Sequence, residues 1–222
     1  MQSFANELAE LKEKLLTMGS YAESAVRGAI QALISRDYDL ALRVRSEDDV
    51  IDRFEVEVDE MAIRLLAKAP LASDLRLITM AMKISQNLER VGDEAAKIAN
   101  RARDLSQDPP LKLVLDIPQM ADLTVRLLKG ALDAFVDHDP VSARNLIPQD
   151  KEVDALNKQI HRQLAGHMIA SPDTITRCLN FMVVAKSLER IADHAKNVAE
   201  EVVFFCEAQD IRHAGITRLS SI

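Results

Sequence analysis

A six-residue motif that begins Leu-Glu-Arg occurs twice in this chain, one hundred residues apart. The first copy spans residues 88–93 and reads Leu-Glu-Arg-Val-Gly-Asp, and the second spans residues 188–193 and reads Leu-Glu-Arg-Ile-Ala-Asp. Each copy is preceded by two Asp residues separated by four positions, at 48 and 52 in the first half and at 150 and 154 in the second. The chain is therefore a tandem duplication that repeats its carboxylates in pairs.

The composition favours helices throughout. The 222 residues include no Trp, six Gly and seven Pro, and apolar residues recur at three- and four-residue spacing. We predict an all-α fold in which a three-helix bundle is duplicated, giving six long antiparallel helices. The predicted helices span about 4–36, 44–69, 71–105, 118–136, 148–170 and 172–209. Residues 37–43 and 140–147 are predicted to be short connectors.

Breaker residues set the predicted boundaries. Pro70 should end the second helix, and the Ser171 hydroxyl should cap a helix that has Pro172 in its first turn. We predict a first repeat at 1–107, a linker at 108–117, a second repeat at 118–210 and a mobile tail at 211–222.

Charge and motifs exclude several classes of function. A formal net charge of -7 gives the chain no electrostatic basis for binding nucleic acid or anionic lipid. No apolar stretch reaches the roughly 18 to 20 residues that span a bilayer, and the amino terminus has no signal-peptide pattern, so we predict a cytoplasmic protein without membrane insertion. The sequence contains no phosphate loop, nucleotide fingerprint or nucleophile motif, and we predict that the chain is not an enzyme.

Helix geometry predicts that the repeated acids of two neighbouring helices lie at the same height along the helix axes. If the second and third helices of each half form an antiparallel hairpin, residues equidistant from the turn lie side by side. Each half then has a quartet of carboxylates. The first quartet is Asp48, Asp52, Glu89 and Asp93, and the second is Asp150, Asp154, Glu189 and Asp193. Depending on the hand of the bundle, the two rows of each quartet either share one groove or turn away from it, and the sequence leaves both arrangements open.

If the acids of both helices face one groove, their negative charges repel each other, raise each other's pKa and destabilise the folded state. Bound cations would offset this repulsion. Oxygen ligands without Cys or His suit Mg²⁺, Mn²⁺ or Fe rather than structural zinc. One isolated acid pair would more simply form a solvated helix face. Four pairs in register favour a metal site.

These motifs, together with the stretch Pro-Leu-Ala-Ser-Asp-Leu-Arg at 70–76, resemble the PhoU family over nearly the whole chain. The resemblance implies paired three-helix bundles whose acidic motifs hold metal clusters. It also implies a cytoplasmic, non-enzymatic regulator, with negative regulation of the phosphate regulon and a homodimer. The implied partners are the ATPase subunit of the phosphate ABC transporter and the sensor histidine kinase of that regulon.

Carried over by position, the family's acidic motifs fall on the two quartets, but the second half departs from the first at two places. Asn157 stands where the first half has Glu55, and Ala192 stands where it has Gly92. These departures predict weaker metal binding in the second half.

Two other functions fit the same acids. A carboxylate-bridged diiron oxidase or iron store would use bundle carboxylates, but such sites contain Glu-x-x-His motifs that this chain lacks. A metal-free helical scaffold would use the acids only as a solvated surface.

Overall fold

A computed structural model of the chain describes residues 2–68, 71–209 and 211, and these residues form helices without any strand. The six long helices are α1 (Gln2–Ser35), α3 (Asp48–Leu66), α4 (Ala72–Gln107), α5 (Ile117–Asp137), α7 (Asp150–Ala170) and α8 (Ile175–Glu207). Two short helices are α2 (Tyr38–Ser46) and α6 (Pro140–Leu146). The all-α prediction with six long helices is confirmed.

The two predicted connectors were wrong, because both are short helices. Asp37 begins α2 by accepting a hydrogen bond from the Leu40 amide on its side chain, and Asp139 begins α6 by accepting from the amides of Val141 and Ser142. Both aspartates are ordinary N-cap residues. The signal was present in the sequence, but each helix has ten or fewer residues and lacks a long apolar period.

Helix boundaries differ from the prediction by a few residues. Helix α3 begins at Asp48, and α7 begins at Asp150 after a 3-10 turn at Ile147–Gln149. Ser171 is the N-cap residue of a 3-10 turn at Pro172–Thr174 that has Pro172 in its first turn, as predicted. The predicted capping bond was wrong, since the Ser171 hydroxyl makes none and the Ser171 carbonyl instead accepts from Thr174. Pro70 and tail residues 212–222 lie outside the described residues.

Each half forms a three-helix bundle. Helices α1, α3 and α4 pack together in the first half, and α5, α7 and α8 pack together in the second. Apolar residues at helical spacing fill both bundles. The largest fully buried side chains are Leu11, Leu15, Met18, Ile51, Leu65, Ile78, Met80, Ile84, Leu88, Ile98, Met120 and Leu128. No helix in the described part of the chain is both long and apolar enough to cross a membrane.

The two bundles meet along an antiparallel seam between α4 and α8. Contacts run in opposite chain directions, from Lys83 with Glu201 to Glu94 with Ser187 and then Arg101 with Asn180. Glu94 is 5% exposed and accepts hydrogen bonds from Ser187, Arg190 and Lys97. Burial opposes its ionisation, but these bonds outweigh burial and lower the pKa of Glu94. The seam therefore joins the repeats through a buried carboxylate.

Candidate metal-binding grooves

The first acidic groove lies between α3 and α4 and contains Asp48, Asp52, Glu89 and Asp93. The negative charge of Asp93 on α4 acts on both Asp48 and Asp52 on α3. The acids of α3 and those of α4 therefore lie near each other. Glu89 in turn is affected by Asp93 and, more weakly, by Asp52. The hand of the bundle, which the sequence left open, is the one that turns both rows into a shared groove.

Burial and mutual repulsion disfavour ionisation in this groove. Burial, followed by the charges of Asp52 and Asp93, raises the pKa of Asp48 to about 6. Burial also comes first among the causes that raise the pKa values of Asp52 and Glu89, and in both the charge of Asp93 comes second. A cation in the groove would reverse this effect, since positive charge favours the ionised form.

One basic side chain partly neutralises the first acidic groove. Arg90 Nε lies 3.3 Å from Glu89 Oε2, and Arg90 Nη1 lies 3.3 Å from Asp93 Oδ2. The arginine side chain is half exposed, whereas Glu89 Oε2 is shielded from solvent and accepts no hydrogen bond from the described residues. Arg90 thus pairs with neighbouring acids, but it leaves a shielded carboxylate oxygen without a hydrogen bond.

Gly92 allows α3 to approach α4 closely at this groove. A Cβ atom at position 92 would lie 2.9 Å from Ile51 Cδ1 and 3.1 Å from Asp48 Oδ1. Both distances are shorter than ordinary van der Waals contact. The glycine of the first motif copy therefore sets the helix spacing that holds Asp48 near Asp93.

The second acidic groove lies between α7 and α8 and contains Asp150, Asp154, Glu189 and Asp193. Burial, and then the charges of Asp150 and Glu189, raises the pKa of Asp193, and Asp154 acts in the same direction. Asp150 is 5% exposed, and its Oδ1 atom accepts no hydrogen bond from the described residues. In the second repeat, as in the first, carboxylates of two neighbouring helices therefore lie close enough for their charges to act on one another.

Sequence reasoning missed two lysines of the second acidic groove. Lys186 Nζ lies 2.5 Å from Glu189 Oε2, and Lys196 Nζ lies 3.2 Å from Asp150 Oδ2. The first contact spans three positions of one helix, a spacing that the sequence displays. The second joins α8 to α7, and only the folded chain reveals it.

The donor set suits a hard cation, but the side chains do not converge on one point. Within the described ranges, no three His, Cys, Asp or Glu side chains are arranged so that together they could hold one metal ion. The carboxylates instead contact Arg90, Lys186 and Lys196. The chemistry of the residues fits Mg²⁺ or Mn²⁺, and binding requires the carboxylates to turn from these contacts towards the ion.

The fold and the grooves together define a class, that of an all-helical tandem repeat with one acidic groove in each repeat. The model of one family, described as the PhoU domain, matches residues 15–102 and again residues 117–202. The chain therefore belongs to the PhoU family.

Relatives extend this assignment over nearly the whole length. A protein from Pseudomonas aeruginosa named "Phosphate-specific transport system accessory protein PhoU homolog" is 40% identical over 220 residues, covering 98% of this chain and 91% of the relative. The "Phosphate-specific transport system accessory protein PhoU" of Escherichia coli is 34% identical, covering 99% of this chain and 91% of the relative.

Solved structures have the same fold. The crystal structure of PhoU from Pseudomonas aeruginosa superposes with a TM-score of 0.89 at 39% identity, covering 93% of this chain and 100% of that one. The phosphate transport system regulatory protein PhoU from Streptococcus pneumoniae gives a TM-score of 0.87 at 27% identity, covering 94% of this chain and 99% of that one. These relatives are named accessory or regulatory proteins rather than enzymes.

Proposed function

We propose that this chain is a cytoplasmic regulator that conveys phosphate status between a phosphate ABC transporter and the sensor histidine kinase of the phosphate regulon. It contacts the ATPase subunit of the transporter, acts as a negative regulator of the regulon and forms a homodimer. It works by protein contact rather than by catalysis.

One observation carries this proposal: the likeness to accessory proteins of phosphate transport extends over the whole fold and both repeats. A regulator without a reaction of its own reports a state by binding differently to its partners. Large apolar side chains on the helix surfaces offer contact area for such partners, with Val56 58%, Ile63 62% and Leu179 50% exposed. The proposed regulator would therefore act through its binding surfaces rather than through a reaction centre.

Binding measurements with purified components test this function. We expect the chain to bind the transporter ATPase and the cytoplasmic part of the kinase, with affinities that change when Mg²⁺ or Mn²⁺ is added. Replacing Val56 and Ile63 by Ser tests the apolar surface of α3, and replacing the exposed Val114 by Ser in the linker is the matched control. Failure to bind either partner, with or without metal, would overturn the proposal.

A diiron enzyme remains the competing function that the same acids allow. Its test is oxidation of Fe²⁺ by O₂ in the presence of the purified chain. Robust turnover that disappears in Glu89→Gln would replace the regulatory proposal with an oxidase or an iron store.

We further propose that the acidic grooves bind multivalent cations such as Mg²⁺, Mn²⁺ or Fe through eight carboxylates. The proposed ligands are Asp48, Asp52, Glu89 and Asp93 in the first acidic groove and Asp150, Asp154, Glu189 and Asp193 in the second. A bound ion would supply positive charge that offsets the repulsion among these side chains. Because each set comes from two helices, binding would also hold α3 against α4 and α7 against α8.

Two features of the carboxylates support cation binding. Glu89 Oε2 and Asp150 Oδ1 are shielded from solvent and accept no hydrogen bond from the described residues, which is costly for an ionised group. Burial, followed by repulsion from neighbouring carboxylates, raises the pKa of Asp48 and that of Asp193. A bound cation would provide a partner for these oxygens and would offset the repulsion among the carboxylates.

Elemental analysis of protein purified without a metal-affinity step tests the metal proposal directly. We expect bound Mg, Mn or Fe, and we expect removal by a chelator to lower the thermal unfolding temperature. The double variant Asp52→Asn with Glu89→Gln should bind less metal. A metal-free scaffold predicts the opposite result, namely unchanged metal content together with unchanged or higher stability.

A further inference from the structure

The duplication makes the two acidic grooves directly comparable, residue by residue. Because Glu89 corresponds to Glu189, a shift of one hundred positions relates α4 to α8. Under that shift Lys186 corresponds to Gln86, and Lys196 corresponds to Ala96. The second acidic groove thus has two lysines at positions where the first has a neutral amide and a methyl group.

Both lysines contact the proposed ligands of the second acidic groove. Lys186 pairs with Glu189 at 2.5 Å, and Lys196 donates to Asp150 at 3.2 Å. The Asp150 side chain is only 7% exposed, so its ion pair is poorly screened by solvent. Half of the four carboxylates in this groove therefore already have a counter-ion from the protein.

The first acidic groove is less neutralised. Its only direct basic contact among the described residues is Arg90, which is shared between Glu89 and Asp93. Glu55 adds a fifth carboxylate, and its pKa is raised first by burial and then by Asp59. The charge of Lys97 reaches Asp48, but the ammonium group donates its hydrogen bond to Glu94.

The two motif arginines also differ in their partners. Arg90 stays in the first acidic groove, whereas Arg190 reaches across the seam to Glu94 at 3.1 Å. The second acidic groove therefore relies on its lysines. In the second acidic groove two ammonium groups contact a set of four carboxylates. In the first, one guanidinium contacts a set of five carboxylates that includes Glu55.

We infer that the duplicated grooves are functionally different: the first binds multivalent cations tightly, whereas Lys186 and Lys196 act as built-in counter-ions that weaken binding in the second. An ion entering the second acidic groove has to displace two ammonium groups from its ligands, whereas an ion entering the first has to displace only the single guanidinium of Arg90. This inference rests on the proposed binding of cations by the grooves.

Calorimetric titration of the chelator-treated chain with Mn²⁺ tests the difference. We expect one tight class of sites, lost in Asp52→Asn with Glu89→Gln and retained in the matched variant Asp154→Asn with Glu189→Gln. Elemental analysis after gel filtration gives an independent count of retained ions for each variant.

Exchanging residues between the repeats tests the role of the lysines. Lys186→Gln with Lys196→Ala, which introduces the residues of the first half, should strengthen Mn²⁺ binding by the second acidic groove about tenfold or more. The reciprocal change, Gln86→Lys with Ala96→Lys, should weaken the first by a similar factor. If the double variant does not fold, the single variant Lys186→Gln can be measured in its place, because it replaces a half-exposed side chain.

The outcomes separate this inference from the proposal beneath it. Equal Mn²⁺ affinity of the two grooves in the unaltered chain, or no change on removing the lysines, would overturn the inference while leaving cation binding intact. Absence of Mn²⁺ binding in every variant would instead overturn cation binding itself.

Discussion

Asp48 is the carboxylate whose protonation the fold alters most clearly. It begins α3, and burial together with Asp52 and Asp93 raises its pKa from 3.8 to about 6. Protonation of this group therefore stabilises the folded chain below about pH 4, and that contribution is lost as the pH rises through about 6. At neutral pH and without metal, the ionised side chain opposes folding.

Asp48→Asn should therefore stabilise the metal-free chain at about pH 7, because it removes a charge that the groove disfavours. The gain should be roughly 1 kcal/mol after solvent screening of this half-buried group is taken into account, or about 2–4 °C in Tm. Thermal unfolding with a chelator present measures it. The gain should disappear at about pH 4, and the exposed Asp133→Asn on α5 is the control. A gain that does not depend on pH would contradict this account.

At the scale of elements, the close approach of α3 to α4 depends on Gly92. An added methyl group would press on Ile51, which is 1% exposed and cannot turn into solvent, and on Asp48. The corresponding Ala192 shows that the second hairpin forms with a methyl group at this position. The two hairpins share a plan but differ at this point of contact.

Gly92→Ala should lower the free energy of unfolding by roughly 1–3 kcal/mol, because overpacking at Ile51 outweighs the gain in helix propensity. Urea unfolding measures the change. Ala192→Gly is the matched control, and it should cost about 1 kcal/mol from propensity alone. Stabilisation of the Gly92→Ala variant by about 1 kcal/mol would mean that propensity dominates and that the helices separate easily.

On the scale of the whole molecule, the seam between α4 and α8 joins the repeats into one unit. Glu94 is buried there among Ser187, Arg190 and Lys97, and a single apolar cluster includes residues of both bundles. Separating the repeats would leave this carboxylate with fewer partners, which is costly for a buried charge. The two bundles should therefore unfold together.

Probes in different repeats can test this cooperativity. Both tyrosines, Tyr21 and Tyr38, lie in the first half, whereas the buried Cys178 lies in α8 of the second. In a Cys206→Ser background, tyrosine fluorescence and the thiol reactivity of Cys178 should change at the same urea concentration. Separate midpoints would show that the repeats unfold independently despite the seam.

The fold predicted from the sequence was confirmed where local spacing carries the information. The recurrence of the Leu-Glu-Arg motif and the paired acids indicated the duplication, and apolar spacing indicated the long helices. The two predicted connectors were wrong, because the short segments that begin at Asp37 and Asp139 have too few residues to display an apolar period.

By itself the sequence determined the six long helices, the duplication and the levels at which the acids stand, because each follows from the periodicity of a single helix. Only the tertiary structure decided that both acid rows face one groove, since that depends on the hand with which three distant segments pack. It also decided that Lys196 pairs with Asp150 and Arg190 with Glu94. Such contacts join helices whose relative rotation is set by the whole core, and no local pattern records them.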